Sequence, residues 1–419
     1  MVRNPWRMLT ARGRGLLVLG LVGLVASLGW GQRDLAWVSL LLVILPVAAL
    51  LIVGRSKLHL VCERLVEPAR ATLGSRMTTS LRLRKEGGAP IGLLRFEERV
   101  PQQLGRRPRF AIHQFSGEWE RVLTYPLIGL ARGRYEVGPL LVRVLDPFGL
   151  ARIDRAFRAT TEVLVTPEVL PLSATRAASS TGMSGESTPQ RIGLVGQDDV
   201  LVREYQQGDD VRRVHWRSTA RMGELMVRRE EQAWDPTVTL LLDSRLASHG
   251  GTGRASSLEW AISAVTSIAH HLLSSGFRLT VVDADGVVIQ SGIEDPFASR
   301  EALLLAMTDE QATYQGTLDA ALEVANRSRR GEMVIAVLGR LTHTDVETLT
   351  ALRTGRTQGL ALVLDVDSFS PRALAGSPHM VAEHADAVRV LREQSWGVVE
   401  VPLGMSVPDA WQAFERSGA

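Results

Sequence analysis

"TVTLLLDSRLAS", residues 237–248, decides how the C-terminal half of this chain folds. It opens on a short, nearly continuous apolar run, meets an aspartate, and passes into a polar loop. A run of this length, rich in β-branched and aliphatic residues, reads as a strand buried on both faces. The pattern returns in "RLTVVDA" (278–284), "MVIAVLG" (333–339), "LALVLDV" (360–366) and "GVVEVPL" (397–403). Amphipathic stretches separate these runs, among them "SSLEWAISAVTSIAHHLLSSG" (256–276), "SREALLLAMT" (299–308) and "HADAVRVLREQ" (384–394). Buried strands alternating with helices predict a doubly wound, parallel α/β domain over 236–419. "GVVIQSG" (286–292) follows a turn at Gly286 and predicts an antiparallel edge strand.

In such a sheet, ligands bind at the carboxyl ends of the strands. Those ends supply Asp243, Asp283, Asp285, Gly339, Asp365 and Asp367. No Gly-rich dinucleotide fingerprint follows the first strand, and "GGTGR" (250–254) lacks the lysine and Ser/Thr of a phosphate loop. Neither a His-Glu-x-x-His zinc motif nor a Gly-x-Ser-x-Gly elbow occurs. His270 and His271 fall on the first long helix, where packing or solvation is the commoner fate; His343, His379 and His384 fall at helix starts or in loops.

Upstream, residues 76–170 change to short alternating runs such as "IGLLRFEERV" and "YEVGPLLVRVLD", separated by turn formers. Strands at this spacing predict a β-sandwich. Residues 171–197, rich in Ser, Thr, Gly and Ala, read as a flexible linker. Residues 55–75 form a juxtamembrane segment in which Leu58, Leu60, Val61 and Leu65 have loosely helical spacing. Before them lie two uncharged stretches, 15–31 and 35–54, each near the roughly 20 residues a helix needs to span a bilayer. A transmembrane hairpin over 1–54 follows, with Trp30 and Trp37 flanking its turn. Arg3, Arg7, Arg12 and Arg14 precede the first span, and Arg55, Lys57, Arg64 and Arg70 follow the second; only Arg33 lies between. This bias predicts a two-span cell-membrane protein whose soluble domains are cytoplasmic. The single cysteine, Cys62, excludes an intrachain disulfide, and a formal net charge of +3 argues against a nucleic-acid binder.

Residues 198–235 are dense in charge. Asp209 or Asp210 is placed to cap a short helix, Arg213, Arg217 and Arg221 share a face at i, i+4 spacing, and Gly223 ends it. "LVREY" before it and "ELMVRREE" after it read as strands. We expect a structural clasp with Trp216 buried. The stretch "REYQQGDDVRRVHWRSTARMGELMVRREE" resembles the signature of the bacterial domain-of-unknown-function family 58. The matching positions are Arg203, Glu204, Tyr205, Gly208, Asp209, Asp210, Arg212, Arg213, His215, Trp216, Arg217, Ala220, Arg221 and Gly223. "RGRYEVGPLLVRVLDPFGL" and "VLVTPEVLPL" also resemble segments of that family.

The end of the opening strand resembles a second pattern. Von Willebrand factor A domains begin a metal site with Asp-x-Ser-x-Ser, whose oxygens suit a hard divalent cation. Here Asp243 stands, while Arg245 and Ala247 replace the serines. Thr317 in "GTLDAAL" matches the family's threonine, and Gly339 occupies the place of its later aspartate. The resemblance implies a von Willebrand A-like fold with a vestigial metal site at Asp243 and Thr317, no bound metal and no cofactor. With the two apolar spans and no catalytic motif singled out, the reading we favour is a non-enzymatic, membrane-tethered interaction or scaffold protein, and the family resemblance implies what it would assist. It would assist complex assembly or envelope maintenance with a MoxR-type AAA+ ATPase and other membrane proteins. The alternative is an enzyme with a site around His215, Asp209 and Asp210.

Overall fold

The computed structural model describes residues 5–55, 59–86, 93–113, 118–173, 202–205, 214, 216–228, 237–286, 288–291, 295–327, 333–352, 358–370 and 376–417. The chain divides into two compact units. One comprises Met1–Glu168 with Thr252–Ala255 and Ala302–Gln311; the other holds Val169–Gly251, Ser256–Glu301 and Ala312–Ala419.

The first unit carries two long helices near its start, α1 (Ala11–Trp30) and α2 (Arg33–Arg55), both long and apolar enough to cross a membrane. Small residues bring them together. A Cβ on Gly20 would lie 3.0 Å from Ser39 O, and one on Gly23 only 2.3 Å from Ser39 Oγ. Close backbone approach through Gly and Ser is how apolar helices gain packing when burial alone favours neither partner nor lipid. Trp30 and Trp37 are exposed.

A β-rich region follows. Strands β1 (His59–Glu67), β2 (Arg70–Thr72) and β3 (Arg76–Glu86) precede β4 (Leu93–Glu98), β5 (Arg109–His113) and β6 (Trp119–Ile128). Then come β7 (Gly133–Val137), β8 (Leu140–Leu145), β9 (Arg152–Phe157) and β10 (Thr161–Thr166). They form sheets ordered β1-β3-β6, β2-β10-β7 and β5-β4-β8-β9. Leu60, Leu81 and Leu83 from the first sheet share one core with Phe96, Val142 and Ile153 from the last. Sheets meeting through alternate residues bury one face each, as the alternating runs require.

The helical expectation for residues 55–75 does not hold. Residues 59–67 are a strand, paired antiparallel with β3 from His59↔Glu86 to Glu67↔Thr78. Leu60 and Val66 are buried, with Cys62 and Arg64 between them on the inner face, while Val61, Glu63 and Leu65 are exposed. Period two governs here, and an inward arginine hid it.

The second unit contains β13 (Thr237–Leu242), β14 (Arg278–Val282), β15 (Val288–Ser291), β16 (Met333–Leu338), β17 (Gln358–Leu364) and β18 (Gly397–Val401). Their order is β15-β14-β13-β16-β17-β18; every pairing is parallel except β14 with the edge strand β15. The antiparallel edge expected from "GVVIQSG" is present. Because β13 lies beside both β14 and β16, the strand order reverses there. The crevice at the carboxyl ends of β13 and β16 is the topological switch point.

Around the signature, β11 (Val202–Glu204) pairs antiparallel with β12 (Met226–Arg228), and helix α3 (Trp216–Met222) lies between them in sequence. Both strands accord with the sequence reading. Gly223, at φ +78°, follows the helix in the left-handed conformation that glycine tolerates. Trp216 is 68% exposed, contrary to the expected buried anchor. Helix α3 has no buried residue, so it presents no inner face on which a tryptophan could be covered. Gly208, Asp209, Asp210, Arg212, Arg213 and His215, and the linker from 174 to 197, lie outside the described residues.

Candidate functional site

Asp243 follows β13 directly, at the switch point, and Arg245 folds back onto it. The guanidinium makes a two-point contact: Nε donates to Asp243 Oδ1 and Nη2 to Oδ2, both at 2.9 Å. The Arg245 amide also donates to Oδ1 (3.1 Å), and the Gly339 amide, from the end of β16, donates to Oδ2 (3.2 Å). Arg245 Nη1 reaches Asp345 Oδ1 at 2.6 Å and the Gly316 carbonyl at 3.3 Å. The side chains of Arg245, Asp243 and Asp345 are 3%, 0% and 2% exposed.

Asp345 was not singled out from the sequence. It sits in the first turn of α7 (His343–Leu352), counting α4 (Ser257–Ser274), α5 (Pro296–Asp309) and α6 (Asp319–Arg327) before it. Its Oδ2 accepts from the Thr342 amide and hydroxyl, both at 2.9 Å, while its own amide donates to Thr342 Oγ1 at 3.4 Å. This is a capping box, and "THTD" (342–345) carries its Thr-x-x-Asp spacing. That motif was the available signal. Two carboxylates face one guanidinium, so the buried cluster has a formal charge of −1. The positive end of the α7 dipole lies at the same place and offsets it.

Burial alone would lower the pKa of Arg245, yet the hydrogen bonds and charges of Asp243 and Asp345 raise it above the ordinary arginine value. His249 is held neutral: burial depresses its pKa, and Arg245 adds to the effect against the opposing pull of Asp243. Its Nε2 lies 2.5 Å from Asp243 O and its Nδ1 2.9 Å from Ser257 Oγ. Nε2–H therefore donates to the carbonyl and Nδ1 accepts from the serine hydroxyl.

The loop after β13 closes over the crevice. Ser248 O accepts from the Arg340 amide at 2.7 Å, and a Cβ on Gly339 would stand 2.1 Å from that oxygen. The glycine therefore permits the loop to cross the end of β16. No aspartate would fit there without moving the loop.

The remaining strand-end carboxylates are engaged locally. Asp285 accepts from Thr313 Oγ1 (2.7 Å), Asp365 caps the one-turn helix α8 (Val366–Phe369), and Asp367 accepts from Arg340 Nη2 (2.6 Å) and the Gly376 amide (2.7 Å). For Asp367, burial pushes the pKa up, but those two donors more than offset it and hold the carboxyl below its usual range. Thr317 is exposed; the neighbouring Gly316 carbonyl, not its hydroxyl, faces Arg245. Among the described residues, no three His, Cys, Asp or Glu side chains converge as cation ligands. A divalent ion does not fit this donor set, because Asp243 has both oxygens committed to Arg245 and Gly339.

A family model described as "Protein of unknown function DUF58" matches residues 201–371. The match begins at the signature and runs through the switch point past β17 and α8. The uncharacterized protein YeaD of Bacillus subtilis (strain 168) is 24% identical over 222 residues, covering 51% of this chain. The matched stretch spans 53% of that relative's length. Among solved structures, the CARDB domain of a Pyrococcus furiosus protein, bound to di-metal ions, has a TM-score of 0.19 at 16% identity. It covers 26% of this chain and 88% of its own. The C-terminal domain of Wzt has a TM-score of 0.19 at 10% identity, covering 27% of this chain and 81% of its own. At these scores the likenesses carry no argument about fold or function.

Proposed function

We propose that this chain is a membrane-tethered scaffold whose α/β domain docks a protein partner without metal and without catalysis. One observation carries the reading. The crevice where a doubly wound sheet ordinarily receives a ligand is filled by the chain's own guanidinium, held by two buried carboxylates. The strand order and antiparallel edge support a von Willebrand A-like fold, with Arg245 standing where such domains hold a cation. The resulting surface presents Leu246, 47% exposed, beside Tyr314, 91% exposed; Leu246 N donates to Thr313 O, which joins their loops. Exposed aromatic and aliphatic side chains on a fixed base are the usual anchors of a protein interface.

The two apolar helices support a tether in the cell membrane, and the arginine bias around them supports cytoplasmic soluble domains. The partner we propose is a MoxR-type AAA+ ATPase, on the signature's resemblance. Photo-crosslinking from position 314 in native membranes, followed by mass spectrometry, tests this. An AAA+ ATPase should be captured equally with and without EDTA, and Leu246→Arg should abolish capture. Crosslinking that needs a divalent ion, or yields no ATPase, contradicts the proposal.

A further inference from the structure

The turn between β8 and β9 is tied to the point where α1 begins. Thr10, the N-cap of α1, donates its amide to Leu150 O (2.9 Å) and its hydroxyl to Gly149 O (2.8 Å). Leu9 forms an antiparallel bridge with Ala151. One turn into the helix, a Cβ on Gly13 would lie 2.1 Å from Leu150 O, so the absent side chain is what lets the turn rest on α1. Asp146 stiffens the turn from within: Oδ1 accepts from the Ala151 amide (2.6 Å) and Oδ2 from the Phe148 amide (2.9 Å).

Leu150 and Ala151 are buried in the same core as Ala49 and Val53, in the last turns of α2. The turn thus stands against both ends of the helical hairpin, just before the uncharged run of α1 starts at Gly15. At this level α2 still exposes Leu51 (53%) and Ile52 (49%) on the side away from the core. An apolar belt therefore reaches the height of the turn. At the tip, Phe148 is 67% exposed although its backbone is held on both sides. Arg12 and Arg14, both exposed, stand on either side of Gly13 in the first turn of α1, the glycine on which the turn rests.

We infer that the Asp146–Ala151 turn is a membrane-interface anchor, with Phe148 entering the boundary between headgroups and acyl chains. Arg12 and Arg14 meet anionic headgroups beside it. The occupant of this surface is the bilayer on which the hairpin stands, and the inference rests on the proposed tether. An exposed aromatic ring, with cations on the helix turn that its loop packs against, is the side-chain chemistry that this layer selects. Its position is fixed by the hydrogen bonds to Thr10, so the anchor would set how the β-rich unit stands on the membrane.

Depth-dependent quenching tests this in the full-length protein, reconstituted in vesicles of phosphatidylethanolamine and phosphatidylglycerol. In a Cys62→Ser background, an environment-sensitive fluorophore is attached at Phe148→Cys, Val25→Cys or Thr124→Cys. We expect headgroup-level spin-labelled lipid to quench the label at 148, and deep acyl-chain spin label to quench the label at 25. The label at 124, on the exposed face of β6, should lose no fluorescence with either. If 25 is quenched while 148 behaves like 124, the anchor is overturned and the tether stands. If neither 25 nor 148 is quenched, both fall.

Discussion

Arg64 in the β-rich unit and Arg245 in the α/β unit are each 3% exposed and each pressed against a carboxylate that is 0% exposed. Their surroundings differ. Arg64 donates through Nη2 to one oxygen of Glu98 (2.5 Å) and through Nη1 to Ala159 O (2.9 Å). Among the described residues, Arg64 Nε and Glu98 Oε2 have no partner. At Arg245 all three guanidinium nitrogens donate, and all four oxygens of Asp243 and Asp345 accept. The electrostatics follow the geometry. Burial dominates at Glu98 and raises its pKa despite Arg64, whereas burial at Arg245 is outweighed by the combined hydrogen bonds and charges of Asp243 and Asp345, which raise its pKa. A half-satisfied pair is costly to keep ionised; a fully satisfied cluster holds its charges as part of the fold.

The sharpest break in that contrast is Arg245→Met. It leaves two buried carboxylates facing each other without a cation, and we expect a loss of about 3–5 kcal/mol in the α/β unfolding transition, followed by calorimetry. Asp345→Asn should cost less, about 2 kcal/mol, because the two-point contact with Asp243 survives and only one charged hydrogen bond is weakened. An equal loss for both variants would mean that the two carboxylates are not graded as described.

At Glu98 the effect is a pH slope. A raised folded-state pKa means that the unfolded chain releases its proton first. Stability should therefore fall as pH rises from the ordinary glutamate value of 4.5 towards the higher folded value. Glu98→Gln should flatten that part of the profile in urea titrations at a series of pH values. A slope left unchanged in the variant would assign it to other groups. Smallest of all, Trp216→Ala should change stability by no more than about 0.5 kcal/mol, since most of the ring is already in solvent. A large loss would restore the buried clasp.

The same contrast separates what was legible in the sequence from what was not. The buried parallel strands, the antiparallel edge and the carboxylate at the end of β13 could be read because continuous apolar runs leave few alternatives. Strand β1 could not, since Arg64 places a charge at an inward position and breaks the alternation that marks a strand. Arg245 was visible as a positive charge where the resemblance implies a cation, but its second partner was hidden a hundred residues away. Asp345 was detectable locally as a capping box, and only the fold brings that helix start to the switch point. Trp216 misled for a related reason: a large aromatic beside arginines carries no sign of which side faces water.

On the proposed reading, Arg245 stands at the switch point where a cation would otherwise sit. Isothermal titration of the full-length protein in detergent with Mg²⁺ and with Ca²⁺ tests it directly. We expect no site tighter than about 100 μM, the weak end of protein calcium sites, in the native chain. A tighter, stoichiometric site that disappears in Asp243→Asn would contradict the account, because Asp243 would then be free to hold an ion that the guanidinium should exclude.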